Sequence, residues 1–179
     1  MSIISTRRLT LRPFERSDAE AIFNGWASDE RAARYCRWHP HESISVTHEL
    51  LDLYLSQAES GFDYRWAITI AETGELIGCI DVVEMSEDRK TAEMGYVLSP
   101  AHWGNGYATE ALGTVIRILF RCGFTTIKAR HHADNPASGR VMEKCGMKFT
   151  GTDRIREKFG SDNLCEVKCY EICEGSFGR

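Results

Sequence analysis

What this chain lacks narrows it before anything it contains. The opening residues, M-S-I-I-S-T-R-R, hold no hydrophobic signal core, and no apolar run approaches the length that crosses a bilayer. A cytoplasmic protein with no membrane partner is therefore expected. Prolines are few, four in 179 residues, and no Pro/Gly/Ser-rich linker or internal repeat divides the sequence, so one domain over 1–179 is the economical reading. No cluster of Lys or Arg interleaves with aromatics and the net charge is −4, which argues against a nucleic-acid partner. The cysteines, seven and thus odd in number, offer no C-x-x-C pair and accompany no secretory signal; reduced thiols are expected. Cys79 and Cys122 read as core residues, and Cys165, Cys169 and Cys173 as small apolar residues of a closing strand. His39 and His41 form an H-x-H pair with no Cys or acidic partner at recognisable spacing, so no metal is expected.

What is present is a clear succession of elements. The residues from Thr6 to Phe14 alternate like a strand that breaks at Pro13, and Ser17 with Glu20 reads as a capping box opening a helix to about Trp26. Ser45 is placed to cap a helix from Val46 to about Ala58, with Val46, Leu50, Leu53 and Tyr54 as its apolar face. Three strands in a meander follow, Tyr64 to Ala71, Glu75 to Val83 and Thr91 to Leu98. Then come a helix from Tyr107 to Arg121 stopped at Gly123, a strand from Thr126 to His132, a short helix from Pro136 to Gly146, and a hairpin of Phe149–Phe159 with Leu164–Ile172. The order is mixed α/β.

The turn A-H-W-G-N-G-Y-A-T-E, Ala101 to Glu110, carries the sharpest chemical signal. Gly104 and Gly106 can take left-handed backbone angles, which lets successive N–H groups converge where the next helix presents its own unpaired N–H groups. An anion is expected to dock there. A P-loop needs Gly-Lys-Ser/Thr and no Lys follows Gly106; a dinucleotide fingerprint needs a third glycine where Thr109 stands.

What remains resembles motif A of the GNAT superfamily of acetyl-CoA-dependent N-acetyltransferases, [QR]-x-x-G-x-[GA], here Trp103, Gly104, Asn105, Gly106, Tyr107 and Ala108. Trp at the first position, followed by G-x-G-Y-A-T-E-A, is similar to the Rim-type branch, which contains the ribosomal-protein N-terminal acetyltransferases. Asn135 to Met147 resembles motif B, N-x-x-[AS]-x-x-[LV]-Y-E-K-x-G-F, in Asn135, Ser138, Val141, Glu143, Lys144 and Gly146. The element order also matches the GNAT fold, an α/β (α+β) domain with a central mixed, mostly antiparallel sheet flanked by helices.

The resemblance implies acetyl-CoA as co-substrate and, as acceptor, the amine of a protein N-terminus or a small molecule, in a monomer or homodimer. It assigns cofactor contacts to the strand Tyr96, Val97 and Leu98, to Trp103 through Thr109, and to Asn135 and Ser138. The family's proton-donating Tyr falls at Met142, whose thioether cannot donate, so Ser138 becomes the expected acid. Met142 also keeps open a non-catalytic acyl-CoA binding or sensing module of the same fold. Glu157 is the preferred base, with Glu93 and Glu84 as the other carboxylates near the strand; strand alternation sets Glu93 with Gly95 opposite Met94 and Tyr96. Tyr35 and Trp38, in the segment between the first two helices, are expected to wall the acceptor, together with Glu84.

Overall fold

The computed structural model describes residues 3–61 and 64–177. Its backbone forms one eight-stranded sheet in the order β1-β2-β3-β4-β5-β6-β8-β7, where β1 is Ile4–Ser5, β2 Leu9–Arg12, β3 Arg65–Ile70, β4 Leu76–Met85, β5 Thr91–Leu98, β6 Thr126–His132, β7 Lys148–Arg156 and β8 Leu164–Cys173. Every neighbouring pair is antiparallel except β5 and β6, which run parallel across the crossover helix α4, Tyr107–Arg121. Sheet faces alternate in sequence, so two cores form. On one face Leu9, Leu11, Ile68, Ile80 and Met94 pack against Leu112, Val115, Ile116 and Leu119 of α4 and Met142 of α5, Pro136–Lys144. On the other, Ala67 and Cys79 meet α1, Ala19–Ile22, its continuation Phe23–Ala27, α2, Glu30–Ala33, and Leu51 of α3, Ile44–Glu59.

One feature of the register makes the site. The parallel pairing of β5 with β6 ends at Met94 opposite Ala129, while β5 stays bonded to β4 as far as Leu98 opposite Gly78. Beyond Met94 the two strands fork, and the β6-facing backbone of 95–98 has no strand partner.

The N-terminal third departs from the sequence reading in instructive ways. The strand begins at Leu9, because Thr6 and Arg8 turn aside to Glu110 of α4: Thr6 Oγ1, the Arg8 N–H and Arg8 Nε donate to its carboxylate at 2.6, 2.8 and 2.7 Å. The capping box falls at Glu15 and Asp18. Asp18 accepts the Glu15 N–H at 2.8 Å while Arg12, six residues earlier, holds both its oxygens at 2.7 and 2.9 Å, a pair outside any helix or strand spacing. Ser43, not Ser45, stands at the N-cap of α3. The buried face of α3 is Thr47 and Leu51, with Val46 and Leu53 exposed; Thr47 tolerates burial because its hydroxyl meets His41 Nδ1 at 2.8 Å. Cys122, expected in the core, is exposed at the end of α4, whereas Cys79 is buried. On β8 Cys165 and Cys169 are half-buried and Cys173 is exposed.

Candidate active site

The fork between β5 and β6 opens into a cavity of about 1180 Å³ that runs from α4 and α5 on one side of the sheet to α1–α3 and the β7–β8 hairpin on the other. Every residue selected from sequence as a cofactor, acceptor or catalytic group lines it except Asn105.

At the α4 end the chain offers backbone donors. Gly104 and Gly106 both sit at φ +78°, a conformation that L side chains rarely adopt, and Gly106 is the N-cap of α4. The first intrahelical bond runs from the Glu110 N–H to the Gly106 carbonyl, so the N–H groups of Tyr107, Ala108 and Thr109 have no helical acceptor. The loop is pinned from several sides. Arg8 donates to the Asn105 carbonyl at 2.9 Å and lies 4.7 Å over the Tyr107 ring; the Asn105 amide donates back to the carbonyls of His102 and Trp103 at 3.2 and 3.1 Å. Asn105 therefore holds the turn, and its side chain is not a cavity group. Trp103 donates its indole N–H to the Leu98 carbonyl at 2.9 Å, tying the turn to the end of β5.

Helix α5 contributes the groups nearest the fork. Asn135 accepts the Ser138 N–H at 3.3 Å as N-cap. Gly139 lies so close to β6 that an added Cβ would stand 2.6 Å from His131 Nε2. That close approach puts Ser138 against β5, where its Oγ is 2.7 Å from the Tyr96 hydroxyl, which also donates to the Ser138 carbonyl at 3.0 Å. Burial raises the Tyr96 phenol well above the ordinary tyrosine range, so it stays protonated. Sequence reading gave Tyr96 a backbone role; the side-chain pairing with Ser138 spans the fold and left no local signal. Met142 is 1% exposed inside the core, off the cavity. Its thioether, packed in the core, has no proton to give.

The far end of the cavity is built from side chains. Tyr35 faces His132 with ring centroids 5.2 Å apart, and Trp38 packs on the second core. Lys158 holds this wall: its Nζ donates to the carbonyls of Ala33, Cys36 and Trp38 at 2.6, 2.7 and 3.2 Å, while the Phe159 N–H bonds the Arg37 carbonyl at 2.7 Å. Burial pushes the Cys36 thiol up to about 11, against the opposing pull of Lys158, so it remains a thiol. Of the candidate carboxylates, Glu93 lies 2.8 Å from Arg130, and burial raises its pKa despite that partner, helped by Glu84 directly opposite on β4. Asp81, also raised by burial, bonds Arg65 at 3.0 Å. Glu157 and Glu84 have no ion-pair partner among the described residues. Among the described residues no group of His, Cys, Asp and Glu is arranged to hold a metal.

A cradle of backbone donors, an unpaired strand edge and an adjoining carboxylate-lined chamber describe a site for an anionic, elongated cofactor next to a second substrate. A model of the acetyltransferase (GNAT) domain matches residues 8–148. The chain belongs to the GNAT acetyltransferase family. It is 35% identical over 153 residues to the uncharacterized N-acetyltransferase YoaA of Bacillus subtilis (strain 168), covering 85% of this chain and 86% of that one. Among solved structures, a GNAT-family acetyltransferase from Bacillus anthracis superposes with TM-score 0.85 at 24% identity, over 97% of this chain and 99% of that one. Spermidine N-acetyltransferase from Vibrio cholerae, in complex with CoA and spermine, does so with TM-score 0.79 at 25% identity, over 96% and 98%. The α4 end of the cavity suits acetyl-CoA in this GNAT protein on its own geometry: left-handed glycines, free first-turn N–H groups, and Arg140 and Lys144 of α5 on the rim. No helix of the described residues is long and apolar enough to cross a membrane.

Proposed function

We propose that this protein acetylates a primary amine held in the chamber between the 35–41 wall and β4–β5, with Glu157 as base and Ser138 as acid. The observation that carries this reading is the placement of one hydroxyl pair, Ser138 and Tyr96, at the fork where the cofactor cradle and the carboxylate-lined chamber meet. Acetyl-CoA, when bound, supplies an activated acetyl thioester.

The residues then divide the proton work. Glu157 Oε takes a proton from the ammonium form of the acceptor, leaving a neutral nucleophile. The β6-facing N–H groups of the 96–98 stretch, unpaired in the sheet, stabilise negative charge on the acyl oxygen. Ser138 Oγ supplies the proton for the sulfur as the C–S bond breaks and recovers one from the acceptor nitrogen that has formed the C–N bond. The single Tyr96 hydroxyl hydrogen serves either the Ser138 carbonyl or Ser138 Oγ; when it turns to Oγ, the hydrogen of the serine is free to face the cavity, so Tyr96 is a positioning residue.

A screen that follows CoA release tests this, with peptides bearing N-terminal Ala, Ser or Met beside polyamines and free amino acids. Turnover with at least one amine is expected, and Ser138→Ala should lower kcat about tenfold with unchanged acetyl-CoA affinity. Absence of turnover across the panel, with acetyl-CoA still bound, would return the protein to a cofactor-binding module. An unaltered rate in Ser138→Ala would remove the serine and leave water as donor.

A further inference from the structure

The arginines around the acceptor chamber are paired but for one, and that one points to a substrate class. Arg65 is paired with Asp81 at 3.0 Å, Arg130 with Glu93 at 2.8 Å, and Arg31 with Asp29 at 2.6 Å. Arg37 differs. Its Nε is buried with no acceptor, and among the described residues its guanidinium has no hydrogen-bond or ion-pair partner, yet it lines the cavity. A donor left unmet in a buried setting is costly unless something outside the chain meets it.

Arg37 is also held ready. Its carbonyl accepts the Phe159 N–H at 2.7 Å, its guanidinium lies 4.6 Å over the Phe159 ring, and Lys158 clamps the carbonyls of Cys36 and Trp38 on either side. Phe159 covers one flat face and leaves the planar edge, the part that grips a carboxylate in two parallel bonds. Arg37 and Glu157 line the same cavity, and Phe159, the ring on which Arg37 lies, is two residues beyond Glu157. That space offers one cation, Arg37, and two carboxylates, Glu157 and Glu84, without ion-pair partners among the described residues. A polyamine would meet Arg37 as a like charge.

We infer that the acceptor is a primary amine carrying a carboxylate, such as an amino acid or a short peptide, with Arg37 binding the carboxylate while the amine lies toward Glu157. This rests on the acetyl-transfer reading above and names the substrate class for that same site.

Matched acceptors test it: alanine against ethylamine, lysine against cadaverine, and spermidine, each followed by CoA release. The carboxylate-bearing member of each pair should have at least about tenfold higher kcat/KM, and spermidine should resemble cadaverine. Arg37→Gln should remove the difference by raising KM for the carboxylate acceptors about tenfold, with kcat within about twofold, and Arg37→Lys should recover part of it. Calorimetric binding of acetyl-CoA by both variants verifies that they fold. Equal or better turnover of ethylamine, cadaverine or spermidine overturns the inference, as does an unchanged KM in Arg37→Gln. If no amine is acetylated, the acetyl-transfer reading falls separately. Binding of N-acetylalanine to the CoA-loaded protein then decides: binding that Arg37→Gln abolishes supports the carboxylate site, and none by the wild type refutes it.

Discussion

The two ends of the cavity are made differently. The cofactor end draws on two short contiguous stretches, Trp103 to Thr109 and Asn135 to Ser138, with the edge of β5, and it works largely through backbone. The acceptor end gathers Tyr35, Arg37 and Trp38 from the wall, Glu84 and Glu93 from paired strands, and Glu157 and Phe159 from the β7–β8 hairpin. A site made of backbone in one turn is fixed by glycine positions and a helix start. One made of side chains from four segments depends on how distant elements dock. The first end therefore suits a cofactor shared across a family, and on the proposed acetyl-transfer reading the second is where acceptor choice would reside.

The comparison breaks most visibly at the base. Glu157→Gln should cut the rate about a hundredfold and flatten the acidic limb of the rate profile, with acetyl-CoA affinity unchanged. Glu93→Gln and Glu84→Gln are the controls. Because burial raises the Glu93 pKa, a Glu93 base would give a limb centred above the ordinary glutamate value, with rate rising as pH rises through it. A limb of that kind, lost only in Glu93→Gln, moves the base onto β5.

Gly106→Val attacks the other end. At φ +78° a β-branched residue is strained, whereas its Cβ would meet only Arg8 Nη2 at an ordinary 3.6 Å, so the cost is conformational. Acetyl-CoA binding should weaken by about 2 kcal/mol, roughly thirtyfold, in calorimetry. The acceptor KM should stay within about twofold. If both substrates weaken together, the two ends are not independent.

Lys158→Met tests the acceptor wall alone. Loss of an ammonium that satisfies three carbonyls should cost about 1.5 kcal/mol of stability and raise the acceptor KM, leaving acetyl-CoA binding intact. Urea unfolding and calorimetry together read this.

The smallest effect lies at the seam, on β6. His131 donates Nδ1–H to the His132 carbonyl at 2.8 Å, while Nε2 is buried against Gly139 without a partner. Burial lowers its pKa below 6.5, against the hydrogen bond to the His132 carbonyl; Lys168 pushes the same way and Glu143 opposes. With the folded value below the unfolded one, the unfolded chain binds more protons in that window. Stability is full above about pH 6.5 and is lost as pH falls toward the folded value. His41, lowered by burial, acts in the same direction. The urea midpoint should fall between pH 7.5 and 5.5, and His131→Phe should lessen that fall; an unchanged fall assigns it elsewhere.

Much of the fold was legible because its signals are local. The strands Thr91–Leu98 and Thr126–His132, the helix Tyr107–Arg121 and its stop at left-handed Gly123 stand where the patterning puts them. The misread parts share a cause. Thr6 and Arg8 leave the strand for Glu110, Asp18 turns to Arg12, and Thr47 is buried by courtesy of His41; in each a polar side chain answers to a distant or out-of-pattern partner.

By itself the sequence determined the glycine turn, the succession of elements and the family motifs, since backbone freedom at Gly104 and Gly106 and apolar periodicity act within a few residues. Only the tertiary structure decided the rest. The phase of α5 buries Met142 and brings Ser138 to Tyr96, the fork after Met94 opens the β5 edge, and the docking of the hairpin onto the 33–38 segment leaves Arg37, in the same cavity as Glu157, without an ion-pair partner among the described residues. These outcomes depend on the rotation and distance between elements far apart in the chain, and neither quantity is written in the spacing of residues along it.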